Sequence, residues 1–147
     1  MATKLIQSEC VFLDTAYAVA LASVTDELHA KAFTLVAELK THEIRLLTTW
    51  AVLLEIGNAL SRLRFRESAI RLLTSLQTDP TVEIVPLSNQ LLEQSFGRYS
   101  ARRDKEWSFT DCVSFVVMEA RNLTEALTAD EHFRQAGFRA LLRETTG

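Results

Sequence analysis

Five short apolar runs, CVFL (10–13), IRLL (44–47), VEIV (82–85), EALT (125–128) and RALL (139–142), alternate along the chain with longer stretches whose apolar residues recur every three or four positions. Brief apolar runs between polar residues read as strands. The helical stretches are DELHAKAFTLVAELK (26–40), TWAVLLEIGNALSRLR (49–64), ESAIRLLTSLQ (67–77), SNQLLEQSFGRYSARR (88–103) and TDCVSFVVMEAR (110–121). A strand–helix–strand rhythm requires crossover connections, which leave the strands parallel and put helices on both faces of the sheet. The expected fold is α/β, a three-layer sandwich around a central, mostly parallel sheet. With only 4 Gly and 2 Pro in 147 residues there is no stretch that reads as a linker, so residues 1–147 are expected to form one domain.

Composition narrows the function classes. A net charge of -3 gives no general attraction to phosphate, so nucleic-acid binding would rest on local basic patches or on metal. Cys10 and Cys112 cannot build a disulfide framework. With His29, His42 and His132 scattered, they show no zinc-ligand spacing either. No apolar run reaches the roughly 18 residues of a membrane span, and the N-terminal MATKLIQSECVF lacks the apolar core of a secretory signal. A cytoplasmic protein is expected, with no membrane partner.

In parallel sheets of this kind ligands bind beyond the carboxyl ends of the strands. Asp14 follows CVFL directly, and Asp130 follows EALT after one alanine. Asp111, in WSFTDCVSF, opens the helix that runs on through VSFVVM. Glu55 lies about two turns into the helix after IRLL, at the border of its apolar face. Four carboxylates converging on one rim would repel and would be costly to bury unpaired, so they call for a cation. An all-oxygen ligand set suits Mg²⁺ or Mn²⁺ better than zinc.

Each acid also has a purely structural reading. Asp14 and Asp130 stand where N-caps stand, and such a cap is worth about 1 kcal/mol. Ser108 and Asp111 have capping-box spacing. Only Glu55, in the middle of VLLEIG, has no cap to make, although it could pair with Arg62 or reach solvent.

The stretches VFLDTA, TTWAVLLEIGNAL, WSFTDCVSFVVMEA and ALTADEHFRQAGF resemble, in order and spacing, the successive motifs of PIN-domain ribonucleases, particularly VapC-type toxins of bacterial toxin–antitoxin pairs. On that resemblance Asp14 matches the first acid, Glu55 the acid of E-x-x-N-A, Asp111 that of S-x-T-D and Asp130 that of T-x-D. Thr15, Asn58, Ser108, Thr110 and Thr128 match the polar positions beside them. Ala129 departs from the asparagine carried by many members. The resemblance implies catalytic and metal-binding roles for Asp14, Glu55, Asp111 and Asp130, with Mg²⁺ or Mn²⁺ as cofactor. It also implies cleavage of structured RNA, a transfer RNA or a ribosomal RNA loop, to 5′-phosphate and 3′-hydroxyl ends. Homodimers and silencing by a cognate antitoxin protein are further implications. No histidine is expected to serve as general base, and Asp104 reads as an exposed loop charge.

RNA binding would need basic groups near the acids: Arg62, Arg64 and Arg66; Arg102, Arg103 and Lys105; or Arg134 and Arg139. The second group leads into the Asp111 helix and adjoins Trp107, which reads as a core residue before a base-stacking one. The helices over 26–40 and from Arg62 onward carry apolar positions on more than one face, which suits a groove for an antitoxin helix. The alternative function is a non-cleaving PIN-like module that grips RNA or protein; retention of all four acids favours the enzyme. A receiver domain would need an acidic pair after the first strand, and a haloacid-dehalogenase-type phosphatase needs Asp-x-Asp, where this chain has Ala16.

Overall fold

The computed structural model describes residues 4–145. Five strands, β1 (Cys10–Leu13), β2 (Arg45–Thr49), β3 (Val82–Val85), β4 (Glu125–Leu127) and β5 (Arg139–Ala140), form one sheet in the order β3-β2-β1-β4-β5. Every pairing is parallel. Between them run α1 (Thr15–Ala22), α2 (His29–Thr41), α3 (Trp50–Ala59), α4 (Leu63–Thr78), α5 (Asn89–Ala101), α6 (Phe109–Ala120) and α7 (Glu131–Gln135), with a closing 3-10 turn at Leu141–Arg143. Helices α1 to α4 pack among themselves, as do α5 to α7. Right-handed crossovers put these two groups on opposite faces, which completes the three-layer sandwich.

All five expected strands form, and the differences from expectation have local causes. The helix expected over 49–64 stops at Ala59 because buried Leu60 anchors a turn, and the chain resumes as α4 from Leu63, so Arg64 and Arg66 belong to α4. Thr49 ends β2 and caps α3, its hydroxyl accepting the Val52 N–H at 3.3 Å. RALL is strand only at Arg139–Ala140. Two helices had no legible period. The α1 sequence TAYAVALA is apolar all round, and α7 is little more than one turn.

The core rests on aromatic contacts between α6, α7 and the sheet. The Phe115 ring meets Trp107 edge-on at 5.1 Å and Phe133 at 5.0 Å, and Phe133 in turn lies 6.3 Å from Phe12 of β1. Trp107 is buried, and its indole N–H donates to Gln135 Oε1 at 3.0 Å. It therefore packs in the core, leaving no exposed face for stacking on a base.

The strand order fixes where a site can lie. The chain leaves β1 toward β2 on one side and returns through β3 to β4 on the other, so the crevice between β1 and β4 at their carboxyl ends is the switch point where such sheets bind ligands. Register places Phe12 beside Ala126 and Leu13 beside Leu127, so the next neighbours are Asp14 and Thr128. Truncating the fully buried centre of the aromatic stack, Phe115→Ala, is expected to cost about 3–5 kcal/mol. Urea unfolding followed by circular dichroism would check it, and a loss below about 1 kcal/mol would show that the stack is not central to the core.

Candidate active site

Asp14 is 7% exposed at the end of β1. It occupies the N-cap position of α1 but makes no side-chain cap bond, so the capping reading fails for this residue. Its Oδ2 instead accepts a hydrogen bond from the Thr128 hydroxyl at 2.7 Å. Burial pushes the Asp14 carboxyl up to about 7, the neighbouring charges of Asp111 and Glu55 push the same way, and hydrogen bonds from Thr128 and the Thr15 backbone only partly oppose this. The same Thr128 hydroxyl accepts the Asp130 N–H at 3.0 Å, so one buried side chain ties the first acid to the last.

Glu55 is half-buried in α3, and its Oε1 accepts from the Thr15 hydroxyl at 2.8 Å, beside Asp14 rather than toward Arg62. Asp111 is in the first turn of α6 and completes the capping box: its N–H donates to Ser108 Oγ at 2.9 Å, and the Ser108 N–H donates to Asp111 Oδ2 at 3.1 Å. The box fixes the carboxylate without moving it off the rim. Asp130 caps α7 by accepting the His132 N–H at 2.9 Å.

The residue missed by sequence reasoning is His132. Its Nδ1 lies 2.9 Å from Asp111 Oδ2 and 3.4 Å from Asp130 Oδ1, whereas the sequence reading assigns no histidine a role there. Burial depresses the basicity of the ring, but the hydrogen bond to Asp111 and the charges of Asp130 and Asp111 outweigh it, and the pKa is raised. The available signal was DEH, a histidine two positions after an N-cap aspartate, which turns the ring back over the cap.

The four acids are thus joined through Thr15, Thr128 and His132. Among the described residues, no Lys or Arg makes an ion pair with any of them. Asp104 stands apart, exposed and bound by both oxygens to Arg102 at 3.0 Å, which holds its carboxyl down at about 2. Arg139 is also removed from the basic candidates, because its guanidinium is held by Glu125, Glu144 and the Leu5 carbonyl. Ala129, where an asparagine side chain is missing, offers its backbone carbonyl to Arg143.

A mostly apolar cleft of about 460 Å³ opens between α1, α2 and α4, lined by Tyr17, Leu21, Val36, Leu39, Leu72 and Leu76 among others. The Tyr17 hydroxyl there is buried with no hydrogen-bond partner. Exposed apolar residues also gather where α5 meets the start of α6, with Tyr99 and Phe109 stacked at 5.8 Å and Phe96 6.0 Å from Phe109. This patch lies outside the helices that the sequence had marked for partners.

Residues 11–139 match the PIN domain family model, and the chain belongs to that family. Within it the chain is of the VapC toxin type. It is 30% identical over 128 residues to the 23S rRNA-specific endonuclease VapC20 of Mycobacterium tuberculosis, in both strain CDC 1551 / Oshkosh and strain ATCC 25618 / H37Rv, covering 87% of this chain and 95% of the relative. The crystal structure of Mycobacterium tuberculosis VapC20, described as a sarcin-ricin loop cleaving toxin, superposes with a TM-score of 0.78 at 26% identity, over 87% of this chain and 95% of that one.

The raised Asp14 pKa sets a pH dependence for the protein in chelator. Between its ordinary value of 3.8 and about 7 the folded carboxyl keeps a proton that the unfolded chain releases, so this group's contribution to stability falls as pH rises through that window. Asp14→Asn is expected to gain stability relative to the wild type by up to about 1.4 kcal/mol per pH unit there. Paired urea titrations at several pH values measure the difference; one that stays flat would mean an ordinary carboxyl.

Proposed function

We propose that the chain is a metal-dependent endoribonuclease toxin that cleaves structured RNA with Asp14, Glu55, Asp111 and Asp130. The observation that carries this reading is the linked set of carboxylates at the β1/β4 switch point with no Lys or Arg counter-charge among the described residues. The donor chemistry fits a hard divalent cation, Mg²⁺ or Mn²⁺, because carboxylate oxygens predominate and mutual repulsion is relieved by positive charge. When bound, such an ion offers Lewis acidity to a phosphodiester and lowers the pKa of a water that attacks it. Asp14, Glu55 and Asp111 serve as the main ligands and Asp130 completes the rim. Thr15 and Thr128 hold Glu55 and Asp14 in their orientations, and the Ser108 cap holds Asp111.

Of the two RNA classes expected, the names of the relatives favour a ribosomal RNA loop over transfer RNA. The loop through Arg102, Arg103 and Lys105 leads into α6 and remains the favoured phosphate contact, with Arg102 already shared between Asp104 and the face of Trp107. The cleft between α1, α2 and α4 is the groove expected for an apolar antitoxin helix, and the four acids of the rim would attract a basic side chain from the same partner. The aromatic patch of Phe96, Tyr99 and Phe109 supports a homodimer.

Purified protein is expected to cleave 23S rRNA or its isolated loop with Mg²⁺ or Mn²⁺ and to stop in excess chelator; equal cleavage with chelator would overturn the mechanism. Asp14→Asn and Asp111→Asn are each expected to lower the cleavage rate at least about 100-fold while the circular dichroism spectrum persists, the charge at the site being lost with little change in shape. Near wild-type cleavage by either variant would remove that residue from the site.

A further inference from the structure

One nitrogen stands among the oxygens of the proposed metal site. His132 Nδ1 is 2.9 Å from Asp111 Oδ2 and 3.4 Å from Asp130 Oδ1, and one ligand atom from each of these three residues lies within 4.8 Å of the other two. Adjacent ligands of an octahedral ion with bonds of about 2.1 Å are separated by about 3.0 Å, and opposite ligands by about 4.2 Å. The two distances from His132 Nδ1 are those of neighbouring donors on one ion.

The backbone holds this arrangement. Asp130 caps the turn that carries His132, accepting its N–H at 2.9 Å, so carboxylate and ring belong to one rigid unit. Asp111 is fixed from the opposite side by the Ser108 capping box. The His132 side chain is 28% exposed, which leaves a solvent path for an ion to enter.

We propose that His132 Nδ1 is itself a metal ligand, completing a mixed oxygen and nitrogen site with Asp111 and Asp130 that selects Mn²⁺ over Mg²⁺. The inference rests on the preceding reading that this rim binds a divalent ion. Imidazole nitrogen is a poor ligand for Mg²⁺, which keeps oxygen and water, whereas transition ions accept it readily. In the ligating form the ring is neutral, with its proton on Nε2 and the Nδ1 lone pair facing the ion. A chain with a carboxylate in this position would lack that bias.

Pulsed electron paramagnetic resonance on the wild-type protein loaded with one equivalent of Mn²⁺ tests the ligand directly, with no dependence on catalysis or on a variant that folds. The expected result is modulation from a directly bound ¹⁴N nucleus. In parallel, titration calorimetry with Mn²⁺ and with Mg²⁺ compares wild type with His132→Phe, whose folding is checked by its thermal midpoint without metal. The variant is expected to bind Mn²⁺ roughly 10- to 100-fold more weakly and Mg²⁺ nearly as before. Tight Mn²⁺ binding by the wild type without ¹⁴N modulation, or equal weakening for both ions in the variant, would overturn the ligand role and leave the carboxylate site standing. Failure of wild type to bind either ion would overturn the metal-site reading and this inference with it.

Discussion

One parallel register governs the site. Because Leu13 of β1 lies beside Leu127 of β4, the first residue past each strand brings Asp14 alongside Thr128, and the 2.7 Å hydrogen bond between them closes the crevice at the switch point. Thr128 has one proton and donates it to Asp14, while its oxygen accepts from the Asp130 backbone at 3.0 Å. A slip of one residue in this pair would turn the β4 side chains to the opposite face and break the bond between Thr128 and Asp14. The other acids are brought to this point by helices: Glu55 through Thr15, and Asp111 through the cap of α6.

The same sheet shows what a carboxylate looks like when its role is structural. Glu125, 1% exposed at the opposite end of β4, accepts N–H groups from Gln7 at 3.0 Å and Ser8 at 2.7 Å and pairs with Arg139. It anchors the segment that enters β1 and has a cationic partner within the fold. Asp14 is nearly as buried, at 7%, but its side chain has a hydroxyl where Glu125 has an arginine, and its pKa rises to about 7. Burial alone does not separate these two acids. The presence of a built-in cation does, and the Asp14 rim, with no Lys or Arg paired to it among the described residues, is suited to an external one.

Much of this was legible from strand ends. The run CVFL followed by Asp14, and EALT followed by Asp130, needed only the alternation of strands and helices to be placed on one rim, because parallel sheets present all their carboxyl ends on the same side. Glu55 was legible because a carboxylate embedded among apolar residues has no local partner. His132 was not legible in the same way, since α7 is too short to show a period, and the direction of the ring depends on the cap made by Asp130. The basic side chains were the least legible: Arg139 and Arg102 look alike in the sequence, yet one is committed to Glu125 and Glu144 and the other to Asp104. The aromatic patch on α5 and α6 needed the packing of two helices to bring Phe96, Tyr99 and Phe109 together.

Capping and chemistry are not competing explanations for Asp111 and Asp130, because the geometry of a cap is what aims the carboxylate. A first-turn acid is stabilised by the helix dipole and by free backbone N–H groups, and these interactions fix its side chain at little cost in entropy. Asp111 uses Oδ2 for the Ser108 N–H and still presents that oxygen to His132, as a carboxylate oxygen with two lone pairs can. Substitution by alanine therefore removes both roles and confounds them. Asparagine caps nearly as well as aspartate but carries no charge, so it separates the helix from the site. Asp111 and Asp130, unlike Asp14, are held in place by the caps they make.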